Sequence, residues 1–274
     1  MENTREFTIR VLRRYEVRTK KSLGQNFLID DGVIDRIISN VPDGSTVLEI
    51  GPGTGALTRR LVEKAGRVIA VEIDSKLCEI LKEEIDSKRL EVVNEDFLDI
   101  DLNEVLAERA IAVANIPYYI TSPIISKLLT SADMVETAVL MMQREVAERV
   151  VARPGGKEYG ILSIVAALYS EPEILFYIPE SAFIPPPRVE SCVVRFNKRK
   201  RHLRVSEKDL LRVVKVAFSK RRKTIVNTLA NLFNGDKDEF KEYLKKAGID
   251  PMARPETLGI EQFEEITGII FKKS

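Results

Sequence analysis

The run Thr46-Val47-Leu48-Glu49-Ile50-Gly51-Pro52-Gly53-Thr54-Gly55 decides how the rest of the chain is read. Its first five residues form an apolar stretch of strand length, and the glycines interrupt it just before a helical pattern from Ala56 to Lys64. Such a turn lets backbone N–H groups approach a ligand closely at a helix N-terminus. Arg67 to Ile73 reads as the next strand. Within it Glu72 stands 21 residues after Gly51, about the separation at which a carboxylate meets ribose hydroxyls in dinucleotide folds.

Gly51-x-Gly53-x-x-Ala56 also satisfies the dinucleotide fingerprint, so the loop alone does not choose a cofactor. Glu49, two residues before the first glycine, tips the choice from nicotinamide towards S-adenosylmethionine, because a carboxylate there favours a cationic ligand. Ser75 to Ile85 then reads as a helix and Leu90 to Val93 as a strand leading to Asp96-Phe97. That pair admits two readings. Either Asp96 accepts from an adenine amino group while Phe97 covers the ring, or Asp96 caps the following turn and Phe97 is core. Its place after a candidate adenosine site favours the first.

Ile111-Ala112-Val113-Ala114 is another buried-strand run, and it delivers Asn115-Ile116-Pro117-Tyr118-Tyr119 at its end. An amide, a rigid proline corner and two aromatics at the carboxyl end of a strand stand where open α/β sheets bind ligands. For an arbitrary Tyr-Tyr pair, core packing is the ordinary explanation. Thr121 to Leu129 is helical and Val135 to Met142 is a further strand. This alternation predicts an α/β fold with a doubly wound, mostly parallel sheet.

Beyond the sheet, Gln143 to Ala152 and Gly160 to Tyr169 read as helices. Phe183-Ile184-Pro185-Pro186-Pro187-Arg188 is expected to be a rigid loop, because prolines fix φ and remove donors. Val189 to Phe196 is expected to close the sheet, antiparallel. The basic run Asn197 to Arg204 marks a boundary, after which only helices are expected, over Glu207–Phe218, 221–233, 237–247 and Ile260–Phe271. The resulting domains are a basic leader (1–21), a sheet domain (22–200) and a small all-helical C-terminal domain (201–274).

The 274 residues are 44% apolar, enough for a large core, and carry 43 Lys and Arg against 42 Asp and Glu. No uncharged apolar run is long enough to span a bilayer, which predicts a soluble, cytoplasmic protein without a membrane partner. Cys78 and Cys192 lack pairing or metal spacing. The single histidine, His202, sits in a basic run, which argues against a catalytic triad or a His-ligated metal.

Charge is unevenly spread. Blocks around Arg10, Lys198 and Lys220 are nearly free of acids. Such runs are usually solvated faces, but three of them in a neutral protein suggest a nucleic-acid footprint. Arg221-Arg222-Lys223 is expected to open a helix, where the dipole disfavours cations and a phosphate would resolve the conflict. The Arg10 to Lys21 run abuts Gln25-Asn26-Phe27, which is read either as the end of a solvated leader or as a lid over a ligand.

Adenine's amino group is a poor nucleophile because its lone pair is conjugated with the ring. Asn115 Oδ1 and the carbonyl of Ile116 or Pro117 supply acceptors that draw the nitrogen towards a tetrahedral shape, and Tyr118 supplies a ring to stack on the base. A base in folded RNA has to leave its stack to reach such a pocket, and Phe27 and Phe183 offer further flat surfaces.

The motifs Gly24-Gln25-Asn26-Phe27-Leu28, Glu49 to Gly55, Val71-Glu72-Ile73-Asp74, Asp96-Phe97, Asn115 to Tyr118 and Phe183-x-Pro185-x-Pro187-x-Val189-x-Ser191 together resemble the rRNA adenine dimethyltransferases. The resemblance runs from about Lys20 to Leu229. It implies a Rossmann-like class I methyltransferase that uses S-adenosylmethionine to methylate the N6 amines of two adjacent adenosines near the 3′ end of small-subunit rRNA. The partner is then the assembling small ribosomal subunit, and the chain acts as a monomer. Cofactor contacts are expected at Gln25, Asn26, Leu28, Glu49, Gly51, Gly53, Glu72, Ile73, Asp96, Phe97 and Asn115. Asn115, Pro117 and Tyr118 are the expected catalytic residues. Tyr118, Phe183, Arg221, Arg222 and Lys223 are expected to bind substrate.

Tyr119, where the bacterial pattern has Asn, and the leader before Arg18 suggest a lean towards archaeal members. Two alternatives stay open: an erythromycin-resistance-type enzyme acting on large-subunit rRNA, and a non-catalytic assembly factor that keeps the fold.

Overall fold

The computed structural model describes residues 2–17, 25–131, 134–199, 201–233 and 236–271. It divides into two compact units, Met1–Ala147 with Ser170–Arg199, and Glu148–Tyr169 with Lys200–Ser274.

The first unit begins with helix α1 (Thr4–Arg14), in the segment that the sequence reading leaves as a basic leader, solvated or acting as a lid. Its apolar face explains the difference. Phe7 and Val11 are buried against Leu77 and Ile80, while Arg10 and Arg14 pair with Glu84 at 2.8 and 3.1 Å. Arg10, Arg13 and Arg14 of the basic run share the helix with these two apolar anchors and mask their signal in the sequence. The remainder of the run, Arg18 to Lys21 with Ser22 to Gly24, lies outside the described residues.

The two-residue strand β1 (Phe27–Leu28) and helix α2 (Asp31–Ile38) follow. Then come β2 (Thr46–Ile50), α3 (Ala56–Lys64), β3 (Arg67–Val71), α4 (Ser75–Glu84), β4 (Leu90–Val93), α5 (Leu102–Val105), β5 (Ala110–Asn115), α6 (Thr121–Ser131) and β6 (Val135–Gln143). The helices α7 (Arg144–Val151) and α8 (Ile161–Tyr169) lead to β7 (Ser170–Ile178), β8 (Phe183–Ile184) and β9 (Ser191–Lys198). The seven-stranded sheet has the order β4-β3-β2-β5-β6-β9-β7. The five strands β2 to β6 run parallel, and β9 is antiparallel to both β6 and β7. This is the doubly wound sheet expected from the alternation.

Two further parts of this unit differ from the sequence reading. β7 went unread because its Glu-Pro-Glu start and uneven apolar spacing hide a strand, and Pro172 is tolerated there since β7 is an edge. The triple-proline stretch is not wholly irregular either. Phe183 and Ile184, ahead of its first proline, pair antiparallel with Leu28 and Phe27, and the Ile184–Pro185 bond is cis.

The second unit has its own core. α9 (Glu207–Phe218), α10 (Ile225–Leu229), α11 (Lys237–Lys246) and α12 (Ile260–Phe271) bury Leu210, Val213, Leu229, Phe240, Phe263 and Ile266. Tyr159, Ile164 and Leu168 join this cluster, so residues 148–169 fold with the C-terminal helices although they precede β7 in sequence. α10 starts only at Ile225, four residues later than expected. Arg221, Arg222 and Lys223 therefore lie in the turn ahead of the helix, and the expected conflict with the helix dipole does not arise.

Candidate active site

Sheet order places the crevice. From β2 the chain steps one way to β3 and β4, then returns to put β5 on the other side of β2. The carboxyl ends of β2 and β5 thus diverge at a topological switch point, the position at which doubly wound sheets hold ligands. Ile50 ends one strand and Asn115 the other.

A cavity opens there, and every expected cofactor residue lines it: Gln25, Asn26, Leu28, Glu49, Gly51, Gly53, Glu72, Ile73, Asp96, Phe97 and Asn115. Pro117 and Tyr118 line it too. Ile120 and Ile124, which the sequence reading missed, form part of its wall. Their signal was faint, since they belong to an ordinary apolar helical stripe.

Gly51 and Gly53 hold φ of 65° and 60°, values that a side chain disfavours. At Gly53 an added Cβ would also stand 3.1 Å from Phe27 Cε1. Glu72 braces this loop from β3. Its carboxylate accepts from Gly53 N at 3.2 Å and from Asp74 N at 3.0 Å. Burial raises the Glu72 carboxyl above the usual range, against the pull of those amides.

Glu49 is in a different state. It is 1% exposed, and neither carboxylate oxygen has a hydrogen-bond partner. Burial pushes its carboxyl up to about 8; Thr58 opposes the rise without reaching hydrogen-bond geometry, and the Glu72 charge adds to it. An unsatisfied buried carboxyl on a cavity wall is costly unless a ligand completes it.

Opposite, Asp96 Oδ1 accepts from Leu98 N at 2.8 Å, so the turn-capping reading of Asp96 holds alongside its position in the cavity. Phe97 is buried beneath the same wall. Ile73 is half exposed, an apolar face turned towards the space.

Asn115 Nδ2 donates to the Asn26 carbonyl at 2.9 Å. A carbonyl only accepts, so this contact fixes which end of the amide is nitrogen and leaves Oδ1 as an acceptor. Pro117 stops β5, and the chain enters a 3-10 turn over Tyr118–Ile120. The Tyr118 hydroxyl lies 2.7 Å from Ser191 Oγ, at the start of β9. Burial raises the Tyr118 phenol. Ser191 is buried and anchors the ring, a role that nothing in the sequence signals because β9 is distant in the chain.

Four expected substrate residues are not among those that line the cavity. Phe183 is 2% exposed and packed in the core with Leu28 and Ile34. It supports β1 from beneath and offers no stacking face. Arg221 is tied to the Lys157 carbonyl and stands 3.9 Å from Glu256. Arg222 and Lys223 are exposed, in the helical unit.

A parallel sheet with a glycine turn after its first strand, an acid ending the next and an Asn-Ile-Pro-Tyr corner at the switch point defines a class I methyltransferase architecture. The ribosomal RNA adenine dimethylase family profile matches residues 16–272, and the chain belongs to that family. Ribosomal RNA small subunit methyltransferase A of Desulfitobacterium hafniense is 45% identical over 99% of both chains. The protein of that name from Bacillus mycoides is 42% identical over 95% of this chain and 94% of its own. Both relatives are bacterial, which counts against the archaeal lean read from Tyr119 and the leader. Among solved structures, a dimethyladenosine transferase from Plasmodium falciparum superposes with a TM-score of 0.75 at 28% identity, covering 88% of this chain and 95% of that one. The 23S rRNA methyltransferase ErmE gives 0.68 at 29% identity, covering 89% and 99%.

Proposed function

We propose that this chain transfers methyl groups from S-adenosylmethionine to the N6 amines of two adjacent adenosines near the 3′ end of small-subunit rRNA, on the assembling subunit. It works as a cytoplasmic monomer. The observation that carries the reading is the Asn115 amide, whose nitrogen is held by Asn26 so that Oδ1 is free to accept from an incoming amine. The Pro117 carbonyl already accepts from Ile120 N at 3.2 Å and Thr121 Oγ1 at 3.4 Å. The Ile116 carbonyl is therefore the better second acceptor. Two acceptors aimed at one amine pull its lone pair out of conjugation, and the gain comes from positioning and fixed dipoles. Tyr118, steadied by Ser191, stacks on the base. No general base is required, since the methylated amine is strongly acidic and passes its proton to water.

The residues present fit the methyl donor. Among the described residues that line the cavity there is no Lys, Arg or His, but Glu49, Glu72, Glu95 and Asp96 are there. The orphaned Glu49 carboxylate suits a cationic ligand. Glu72 suits ribose hydroxyls, Asp96 Oδ2 the adenine amino group, and Ile73 and Phe97 the ring faces. When bound, S-adenosylmethionine supplies an electrophilic sulfonium methyl. Arg222 and Lys223 of the helical unit are read as phosphate contacts.

The test is transfer of labelled methyl into small subunits that lack the modification. Label is expected at adjacent adenosines, and Asn115→Ala should abolish transfer while sparing RNA binding. Label confined to large-subunit rRNA would replace this reading with the erythromycin-resistance type. Subunit binding without label would favour an assembly factor.

A further inference from the structure

Lys127 stands outside every motif that the sequence reading singled out, and its surroundings are unusual for a lysine. Its side chain is partly buried. The Nζ donates to the Leu98 carbonyl at 2.8 Å and the Ile100 carbonyl at 2.5 Å, and it lies 5.4 Å from the centre of the Phe97 ring. No carboxylate is within ion-pair distance of it among the described residues. Burial lowers its ammonium, while the Asp99, Asp101 and Asp96 charges support it. A cation spent on main-chain carbonyls holds backbone in place.

The backbone it holds follows directly on Asp96 and Phe97, which line the cavity. Asp96 to Ile100 is a closed turn, with Leu98 N donating to Asp96 Oδ1 and Asp99 N donating to the Asp96 carbonyl at 2.9 Å. Lys127 fastens that turn from outside. Ile124 and Lys127 stand three residues apart on α6, so one face of that helix carries both a residue of the cavity wall and the lysine. At the other end of the same segment Thr121 Oγ1 donates to the Pro117 and Tyr118 carbonyls at 3.4 and 3.3 Å. A single short helix is thus bonded at its start to the amine-binding corner and, two turns on, to the Asp96 turn.

We infer that Lys127 is a positioning residue that locks the Asp96–Ile100 turn to α6, so that the cofactor wall and the Asn115–Tyr118 corner hold each other in place. The inference rests on the proposed function and adds a coupling between its two ligands. Cofactor settled against Asp96 and Phe97 fixes α6 and with it the corner that receives the base. Either ligand then improves the site for the other, by the same factor in each direction.

The experiment compares wild type with Lys127→Met, which keeps the apolar stem and deletes the donors, and with Lys127→Arg, which retains donors. Calorimetric titration with S-adenosylhomocysteine is the first measurement. Binding of an rRNA hairpin carrying the two adenosines, with and without that compound, is the second. Lys127→Met should bind S-adenosylhomocysteine about tenfold more weakly, the size of one charge-assisted hydrogen bond. Its hairpin affinity without the compound should match wild type, and the enhancement that the compound brings should be lost. Lys127→Arg should recover most of both. If Lys127→Met does not fold, Lys127→Gln carries the same comparison. Unchanged S-adenosylhomocysteine affinity and unchanged enhancement in a variant with a lowered melting temperature would reduce Lys127 to a structural strut and sink the inference alone. Absence of S-adenosylhomocysteine binding by wild type would overturn the functional reading as well.

Discussion

Burial pushes the Glu49 carboxyl up to about 8 from the ordinary 4.5, which favours its protonated form in the free fold. Between those values the folded protein keeps a proton that the unfolded chain releases, so stability declines as pH rises through that window and levels off above it. The raised Glu72 carboxyl acts in the same direction. Thermal unfolding of Glu49→Gln should therefore fall less steeply than wild type between pH 5 and pH 8; equal slopes would mean that Glu49 is ionised in the fold. The second residue-scale prediction concerns Tyr118. Tyr118→Phe keeps the ring but loses the 2.7 Å anchor to Ser191, so kcat/KM for methyl transfer should drop about tenfold or less, the value of one neutral hydrogen bond. Ser191→Ala should match it, and Tyr118→Ala should lose far more. Equal losses for Phe and Ala would shift the role from the ring to the hydroxyl.

The element that most changes the reading of this chain is α1. It is anchored to the sheet domain by burying Phe7 and Val11 on α4. Phe7→Ala should destabilise the protein by about 3–5 kcal/mol in denaturant unfolding, as for other buried phenylalanines. A loss under about 1 kcal/mol, the scale of a surface substitution, would return α1 to a loosely attached leader. The glycine loop makes a separate prediction. Gly53→Ala combines φ of 60° with a 3.1 Å approach to Phe27, so β1 and the loop have to move apart. Titration should show weakened S-adenosylhomocysteine binding, with the fold retained. Wild-type affinity would show that β1 yields freely.

On the scale of the whole molecule, the near-zero net charge conceals a division of labour, with carboxylates in the cavity and exposed cations in the helical unit. Arg222→Glu with Lys223→Glu should weaken rRNA binding and flatten its salt dependence, by a log–log slope of roughly 0.7–0.9 for each phosphate no longer neutralised, without altering S-adenosylhomocysteine affinity. An unchanged slope would remove this turn from the RNA footprint. Local sequence was enough to specify the parallel sheet, the glycine turn, the acids at the strand ends and the Asn115 corner, because strand periodicity, glycine and proline act locally and a switch-point site is assembled from strand ends. Only the packed fold established that α1 is anchored, that β7 joins the sheet edge, that Phe183 is core and not platform, that residues 148–169 fold with the C-terminal helices, and that Ser191 and Lys127 bond to Tyr118 and to the turn after Phe97. Each of those depends on partners far away in the chain, and a contact made by burial or by a single hydrogen bond across the fold leaves no period or motif to read.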